Sequence, residues 1–351
     1  MTRLALVMIA RDERRAIARA LASARPHVER LIVLDTGSTD GTPQIAAEAG
    51  AEVAHFTWCD DFAAARNAAL DLSDADWNLV LDADEWIDGG EAALGPQVLA
   101  PGAGDFLGSV QVASEIGEGA ERSTSRAWIA RVLPRGVRYA GRIHEQPAST
   151  LPLRRLPLVI AHDGYLPDNL ERKGARNETL LMAELEASPE DAYLWFQLGK
   201  EHQVRERPPQ AAVCFSEALR LAGPEAPFRH ALVVRALTAL KTAERFDEAL
   251  ALLDAEFPNW QASPDFFFAM GDLYLAWAGR NPDKALQEFL PLAEFAWKKC
   301  LEIGERPDLD GAVAGRGGHM PAHNLAVMYG TLGLADLARD YEALAARLRA
   351  A

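Results

Sequence analysis

Short apolar runs alternate with amphipathic segments along the first 85 residues of the chain. The runs are Leu4–Ala10, Leu31–Asp35, Glu52–Phe56 and Trp77–Asp82. Between them, apolar residues recur at helical spacing, with Ser38, Asp40 and Asp60 as candidate N-terminal caps, in Glu13–Ala24, Thr42–Ala49 and Asp61–Leu72. Because strands that alternate with helices form parallel sheets, this pattern predicts four parallel strands joined by crossover helices.

The pattern changes twice beyond this segment. From Asp105 to His162 the chain is β-rich, and these strands are expected to close the sheet over a cleft; the predicted strands are Phe106–Ala113, Ala127–Leu133 and Leu156–Ala161. After Leu166 the apolar spacing becomes helical and Ala, Leu and Glu dominate. The shift predicts an α/β domain over residues 1–166 and an all-α domain over residues 167–351.

The helical part contains a repeated motif. The sequence Trp195-x-x-Leu198-Gly199-x-x-His202, followed by Ala211, Phe215 and Ala218, fits the 34-residue tetratricopeptide template, with His202 in place of Tyr. Weaker copies begin near Ala236, Met270 and Leu325. This predicts stacked helix pairs, with an irregular helical bundle as the alternative. The glycine-rich stretch Asp308–His319 is expected to be a loop.

Composition excludes several classes of protein. The 351 residues include 36 Lys and Arg against 51 Asp and Glu, a net charge of −15, so no nucleic acid partner is expected. Hydrophobic residues make up 49% of the chain, enough for sizeable cores. Cys59, Cys214 and Cys300 lack the spacing of a metal or dithiol site, which favours a reducing, cytoplasmic location. No window is apolar enough for a transmembrane helix, and membrane-surface association stays open.

The first candidate site follows the second predicted strand. Asp35 ends that strand, and Thr36-Gly-Ser-Thr-Asp-Gly41 leads into the next helix. Ligands of open α/β sheets bind at such carboxyl ends, where Asp35 can accept hydrogen bonds from a base or ribose. The alternative is an ordinary helix entry in which Ser38 and Asp40 are caps. The pattern differs from the dinucleotide-binding fingerprint, which argues against a dehydrogenase.

Three carboxylates follow the fourth predicted strand, at Asp82, Asp84 and Glu85. Converging carboxylates repel one another, and their oxygens suit Mg²⁺ or Mn²⁺, ions that complete their coordination with phosphate and water. A solvated acidic turn is the plain alternative. A haloacid-dehalogenase-type phosphatase would carry its aspartate pair after the first strand, where Ala10, Arg11 and Asp12 stand instead.

Together these motifs resemble a family 2 glycosyltransferase of the GT-A fold joined to tetratricopeptide repeats. The matching segments are Val7–Glu13, Asp35–Thr42, Asp61–Asn67, Asp82–Asp84, Gly141–Gln146 and Ile160–Tyr165. One departure stands after the first strand, where Arg11-Asp12-Glu13 replaces the common Lys-Asn-Glu. The resemblance implies a nucleotide-diphosphate sugar as donor, usually a uridine diphosphate sugar, and a divalent Mn²⁺ or Mg²⁺ ion.

The resemblance also implies roles for individual residues. Ala10, Glu13 and Asp35 would face the nucleoside. Arg66, beside Asn67, would neutralise the diphosphate, with a surface ion pair to Asp61 or Asp71 as the alternative. Asp84 would bind the metal, and Asp82 the metal or the ribose. His162 ends an apolar strand and could serve as a further metal ligand, because imidazole tolerates Mn²⁺.

An inverting enzyme, as family 2 members are, needs a carboxylate to deprotonate the acceptor. Glu145 is the first candidate, His144 would position it or take the proton itself, and Asp163 is the reserve base. Each of them can instead be a hydrogen-bonded residue at a strand end.

The acceptor class stays open at this level. Relatives with this architecture modify peptides or proteins, including S-glycosyltransferases of glycocin peptides, whereas others extend lipopolysaccharide cores. The repeats favour a peptide or protein acceptor over a glycan. A non-catalytic repeat scaffold with a nucleotide-binding domain is a second hypothesis. A nucleotidyltransferase is a third, and the Gly- and Lys-rich triphosphate loop that it needs is absent from the sequence.

Overall fold

The computed structural model describes residues 2–99, 105–116, 123–163 and 167–350. The described residues form two compact units. One comprises those within Met1–Ile116 and Ala127–Glu184, and the other those within Gly117–Arg126 and Leu185–Ala351. The domain boundary after residue 166 stays a prediction.

The first unit is built on a mixed sheet with a short separate ribbon. The strands are β1 (Leu4–Ala10), β2 (Arg30–Asp35), β3 (Glu52–His55), β4 (Trp77–Val80), β5 (Glu85–Gly89), β6 (Leu107–Ile116), β7 (Ser123–Pro134), β8 (Arg138–Ala140), β9 (Gln146–Ala148) and β10 (Leu153–His162). Eight of them follow the order β3-β2-β1-β4-β7-β6-β10-β5, and β8 pairs with β9. The four predicted parallel strands are confirmed. β6 and β10 are also parallel, while β7 and β5 run antiparallel to β4 and β10.

Helices cover both faces of this sheet. They are α1 (Ile17–Ala24), α2 (Thr42–Glu48) and α3 (Phe62–Asp71), with short 3₁₀ turns at Arg25–His27 and Glu91–Leu94. Alternate residues of β1 enter two cores: Leu6 and Met8 pack with α1, and Ala5 and Val7 pack with α3. Because both faces are buried, β1 is apolar throughout, as parallel strands usually are. The α/β class predicted for the N-terminal part is confirmed.

The predicted caps are partly wrong. Asp61, not Asp60, caps α3 and accepts from Ala64 N at 2.8 Å, while Asp60 accepts from the Trp58 indole nitrogen at 2.8 Å. Asp40 accepts from Thr42 N at 3.0 Å just before α2, whose cap residue is Gly41. Ser38 instead accepts from Asp12 N at 2.9 Å. The side chains before α2 therefore tie its entrance to the turn after β1.

The described residues from Pro167 onward are mainly helical. The helices are α4 (Pro167–Ala187), α5 (Ala192–Val204), α6 (Pro208–Leu221), α7 (Arg229–Thr242), α8 (Phe246–Glu256), α9 (Pro264–Arg280), α10 (Pro282–Lys284), α11 (Leu290–Ile303), α12 (His319–Thr331) and α13 (Ala335–Ala350). A π-helical turn at Ala285–Phe289 precedes α11. The all-α class predicted for the C-terminal part is confirmed.

Small residues let paired helices of the second unit approach closely. A Cβ on Gly199 of α5 would lie 2.5 Å from the Phe215 ring of α6. A Cβ on Gly271 of α9 would lie 2.5 Å from the Trp297 ring of α11, and Trp297 is fully buried. These glycines occupy corresponding positions in two copies of the motif, so each repeat buries an aromatic ring against a bare backbone.

The glycine-rich stretch is a turn-rich segment that contains one short strand, β11 (Ala312–Val313), which pairs with Ser125 and Arg126. Asp265 accepts from Val313 N and from Arg316 Nη1, each at 3.0 Å, and fixes this segment to α9. The three cysteines are free thiols. Within the described part of the chain, no helix combines the length and apolar character of a membrane-spanning segment.

Candidate functional site

An open depression of about 790 Å³ lies at the carboxyl end of β2. Asp35 lies in its lining with the side chain buried, and its carboxylate accepts from Gly37 N and Ser38 N, both at 3.1 Å. Gly37 has φ +105°, a conformation that favours glycine, and it turns the backbone around the carboxylate. His55 Nδ1 lies 3.4 Å from Asp35 Oδ2. The depression therefore combines a fixed carboxylate, an exposed imidazole and small residues.

The turn after β1 lies against this depression. Ala10 pairs with Asp35 across the two strands, and its carbonyl accepts from Thr36 N at 2.9 Å. Glu13 N donates to Thr42 Oγ1 at 2.8 Å. The structure thus brings Ala10, Glu13 and Asp35 together at one edge of the sheet, where the resemblance expects the nucleoside.

A buried ionic network lies beyond the end of β4. Arg66 of α3 donates from Nη2 to Asp82 Oδ1 at 2.6 Å and from Nε to Glu145 Oε1. Its Nη1 is buried and has no acceptor among the described residues. Three segments that are far apart in the sequence therefore meet at one guanidinium. The ion pairs suggested for Arg66 with Asp61 or Asp71 are not the contacts that it makes.

Arg131 of β7 is the second cation of this network. Its Nη2 donates to Asp82 Oδ2 at 2.8 Å and to Glu85 Oε1 at 2.5 Å. Burial alone would raise the pKa of Asp82, but Arg131 and Arg66 hold that pKa far below its usual range. The pKa of Glu85 is raised, because its burial outweighs the charge of Arg131. Asp82 is therefore a firmly ionised carboxylate shared by two guanidinium groups.

Tyr139 and Asn67 border the network. Burial raises the pKa of Tyr139 to about 12, and the Arg66 guanidinium carbon lies 5.6 Å from its ring centre. The Asn67 side chain donates to Tyr139 O at 2.9 Å and accepts from Tyr139 N at 2.8 Å. Asn67 thus connects α3 to β8. Its contact with the sugar-nucleotide donor stays a prediction.

Asp84 and His162 form a second pair. His162 Nε2 lies 3.6 Å from Asp84 Oδ2, and His162 Nδ1 lies 3.1 Å from the hydroxyl of Ser114. Burial would lower the pKa of His162, but the Asp84 carboxylate raises it above its usual value. The pair joins the end of β10 to the turn after β4, as expected for two parts of one site.

These residues can be tested against a divalent metal. A carboxylate oxygen and an imidazole nitrogen 3.6 Å apart can both bind an ion about 2.1 Å from each of them. Each oxygen of Asp82 already accepts a hydrogen bond from an arginine. Within the described residues, no three His, Cys, Asp or Glu side chains are grouped as a metal site. Asp84 and His162 thus fit an ion that takes its other ligands from phosphate and water. The larger set of Asp82, Asp84 and His162 stays a prediction.

The candidate bases differ in their surroundings. The Glu145 side chain is buried beside Arg66, at the site. His144 has φ +50°, which is uncommon outside glycine and turns the chain sharply before Glu145. Asp163 accepts from Arg15 at 3.1 Å through both oxygens and from Arg19 at 2.5 Å, and these partners lower its pKa despite partial burial. Asp163 therefore serves as an anchor between β10 and α1, and its oxygens are already engaged.

Sequence reasoning missed several site residues. Arg131 carried a signal, because a charged residue stood inside a segment assigned to a buried strand. Ser114 and Tyr139 carried none, since each is an ordinary residue of its segment until the fold places it beside His162 or Arg66.

Residues 5–126 match the family model described as glycosyl transferase family 2. The resemblance drawn from the motifs is confirmed for this segment, which contains Asp35, Arg66, Asp82 and Asp84 of the site.

Curated relatives extend the likeness into the helical part. A TPR repeat-containing protein of Synechococcus elongatus is 37% identical over 218 residues, covering 57% of this chain and 52% of the relative. The prophage-derived glycosyltransferase SunS of Bacillus subtilis is 26% identical over 268 residues, covering 72% and 63%. The chain therefore spans less than two thirds of the length of either relative. Among solved structures, MamA covers 52% of this chain and 95% of its own at 15% identity, with a TM-score of 0.39.

Proposed function

We propose that this protein transfers a sugar, with inversion, from a uridine diphosphate sugar to a peptide or protein acceptor held by the helical repeats. The observation that carries the proposal is the meeting of the buried Arg66 and Glu145 side chains with the half-buried Asp82 beyond β4. Buried charges are costly to desolvate, and binding and catalytic sites are where such groups concentrate. The match of the surrounding segment to family 2 glycosyltransferases favours this chemistry over a nucleotide-binding scaffold.

The nucleoside is assigned to the depression beside β2. Asp35 is fixed there by two backbone donors and can accept hydrogen bonds from the base or ribose. Ala10 and Glu13 lie on the adjoining turn. The narrow turn at Gly37 lets the ligand approach the backbone closely.

The diphosphate is assigned to the space between this depression and the ionic network. Arg66 Nη1, which has no acceptor among the described side chains and backbone, is the donor proposed for a phosphate oxygen. Asp84 and His162 would hold Mn²⁺ or Mg²⁺. A divalent ion there would neutralise the charge that develops on the leaving diphosphate.

Glu145 is the proposed general base. In the transfer step the acceptor oxygen or sulfur bonds to the anomeric carbon, and its proton passes to Glu145 Oε2. The bond from that carbon to the diphosphate oxygen breaks, and uridine diphosphate leaves with the electron pair. Arg66 engages Oε1, so it orients the carboxylate. His144 sets the sharp turn that presents Glu145, which makes it a positioning residue.

The acceptor is assigned to the repeats because stacked helix pairs provide extended binding surfaces. One relative is named for such repeats, and another is named a glycosyltransferase. A peptide or protein acceptor uses this surface more fully than a small glycan does.

Glu145→Gln tests the proposed chemistry. We expect the variant to bind uridine diphosphate as the wild type does, while release of uridine diphosphate from a panel of its sugars, with Mn²⁺ and a peptide mixture, falls at least about 100-fold. Glu91→Gln, an exposed glutamate of the same unit, is the control and should keep full turnover. Turnover that persists in Glu145→Gln would contradict the assignment of the base. If the wild type neither bound nor cleaved any of these sugars, the assignment of a uridine diphosphate sugar as the donor would be contradicted.

A further inference from the structure

An arginine of α4 lies over two aromatic rings, one in the loop before α3 and one on the first residue of α3. The Arg176 guanidinium carbon is 5.0 Å from the ring centre of Phe62 and 5.7 Å from that of Trp58. The two rings meet edge to face, with centres 4.8 Å apart. A planar guanidinium that stacks on rings is held in a fixed orientation and leaves its edge for hydrogen bonding.

The Arg176 guanidinium has unused hydrogen-bonding capacity. Its Nε is shielded from solvent and has no acceptor within the described residues. Burial and the positive charge of Arg11 lower the pKa of Arg176, and the Asp60 carboxylate offsets this only in part. Two cations that are close enough to influence each other, with a single carboxylate to offset them, favour a further anion nearby.

The stack lies next to the proposed transfer site. Phe62 begins α3, and Arg66 follows one turn later on the same side of that helix. Phe62 N donates to Arg142 O at 2.8 Å, in the segment that brings Glu145 to Arg66. Arg176 therefore belongs to the surroundings of the Arg66 network.

Arg11 connects the stack to the nucleoside depression. It follows Ala10, which pairs with Asp35, and the next residue, Asp12, accepts from Thr39 N at 2.7 Å. Thr39 lines the depression, so the turn that carries Arg11 lies against it. Arg11 is thus next to the turn that lines the proposed nucleoside site, and Arg176 lies over Phe62, one helical turn from Arg66.

We infer that Arg176, oriented by Phe62 and Trp58, binds the diphosphate of the donor together with Arg11. The inference rests on the proposed function, because the group that joins a nucleoside to a sugar in such a donor is the diphosphate. It adds a donor-binding residue from α4, outside the segment that matches the family model. An anionic group of the acceptor is the competing ligand, and the test separates the two.

Arg176→Gln tests this assignment by calorimetric titration of uridine diphosphate and uridine monophosphate with Mn²⁺. We expect the affinity for the diphosphate to fall about tenfold or more, while the affinity for the monophosphate changes less than twofold, because a charge-assisted hydrogen bond to the second phosphate is lost. Arg176→Lys keeps the charge and should lose less. It also keeps the test decisive if Arg176→Gln folds poorly.

Arg154→Gln is the matched control. Arg154 also lies over a phenylalanine ring, 5.1 Å from the centre of Phe106, but it is eight residues from His162 along β10, about 26 Å away. It should leave both affinities unchanged. If wild type and Arg176→Gln bound uridine diphosphate with equal affinity, the inference would be overturned but the proposed function would stand. The same holds if the substitution changed only the KM for the acceptor. A wild type that binds no uridine nucleotide would overturn the proposed function as well.

Discussion

Single charged side chains decide how the candidate site is held together. Asp82 forms ion pairs with both Arg66 and Arg131, and Arg131 also forms an ion pair with Glu85. Such buried pairs add little net stability while complete, because desolvation offsets the attraction between the charges. Removing one partner is different, since it leaves an uncompensated charge in a poorly solvated place.

Arg131→Gln should therefore destabilise the first unit by about 3–5 kcal/mol. Urea unfolding followed by tryptophan fluorescence measures this loss. The loss should shrink as the pH falls from 8 to 5. The pKa of Glu85 is already raised by burial, and without Arg131 this side chain takes up a proton in the folded state more readily than in the unfolded state.

Arg138→Gln provides the comparison for this prediction. Arg138 pairs with Asp71 at 2.5 Å on the surface, where both side chains are largely exposed. Exposed pairs of this kind contribute at most about 1 kcal/mol. If both variants lost the same amount at every pH, the buried network would not be the cause.

Elements were predictable from sequence where the local pattern alone determines them. The bounds of β1 match the prediction, because an apolar strand buried on both faces has a continuous apolar pattern. β5 was missed, since Glu85–Gly89 is short and half polar, and it forms a strand through pairing with β10 some 70 residues later. Asp82 is the corresponding case in the site. Its strand-end position was predictable, but the arginines that hold it come from α3 and β7.

Gly271→Ala tests how closely the repeat helices must approach. The new methyl group would lie 2.5 Å from the fully buried Trp297 ring, so the ring or the helix has to shift. We expect a loss of about 1–3 kcal/mol in the unfolding free energy of the second unit, measured by denaturation followed with circular dichroism.

Gly279→Ala separates this steric effect from helix propensity. Gly279 belongs to the same helix, α9, and nothing lies within 4 Å of the position of its Cβ. Alanine favours helix over glycine, so this change should be neutral or stabilising by up to about 1 kcal/mol. A Gly271→Ala variant as stable as Gly279→Ala would show that the helix pair is packed less tightly than its geometry implies.

For the whole molecule, ligand binding must appear as added stability. A ligand that binds the native state alone raises the unfolding free energy according to its concentration and affinity. The proposed metal contributes through Asp84 and His162, which are far apart in the sequence and meet only in the folded chain. The unfolded chain does not hold these ligands together, so Mn²⁺ and uridine diphosphate should stabilise the folded protein jointly.

Asp84→Asn tests this coupling in the full chain. Thermal unfolding of the wild type should shift upward by several degrees with uridine diphosphate and Mn²⁺ together, and by much less when a chelator removes the metal. An amide binds a divalent ion more weakly than a carboxylate, so the variant should show the smaller shift even with Mn²⁺. Asp88→Asn, an exposed aspartate of β5 four residues further on, should respond like the wild type. If Asp84→Asn and Asp88→Asn showed the same shift in unfolding temperature with uridine diphosphate and Mn²⁺, the metal would bind elsewhere, and Asp84 would serve only as a partner for His162.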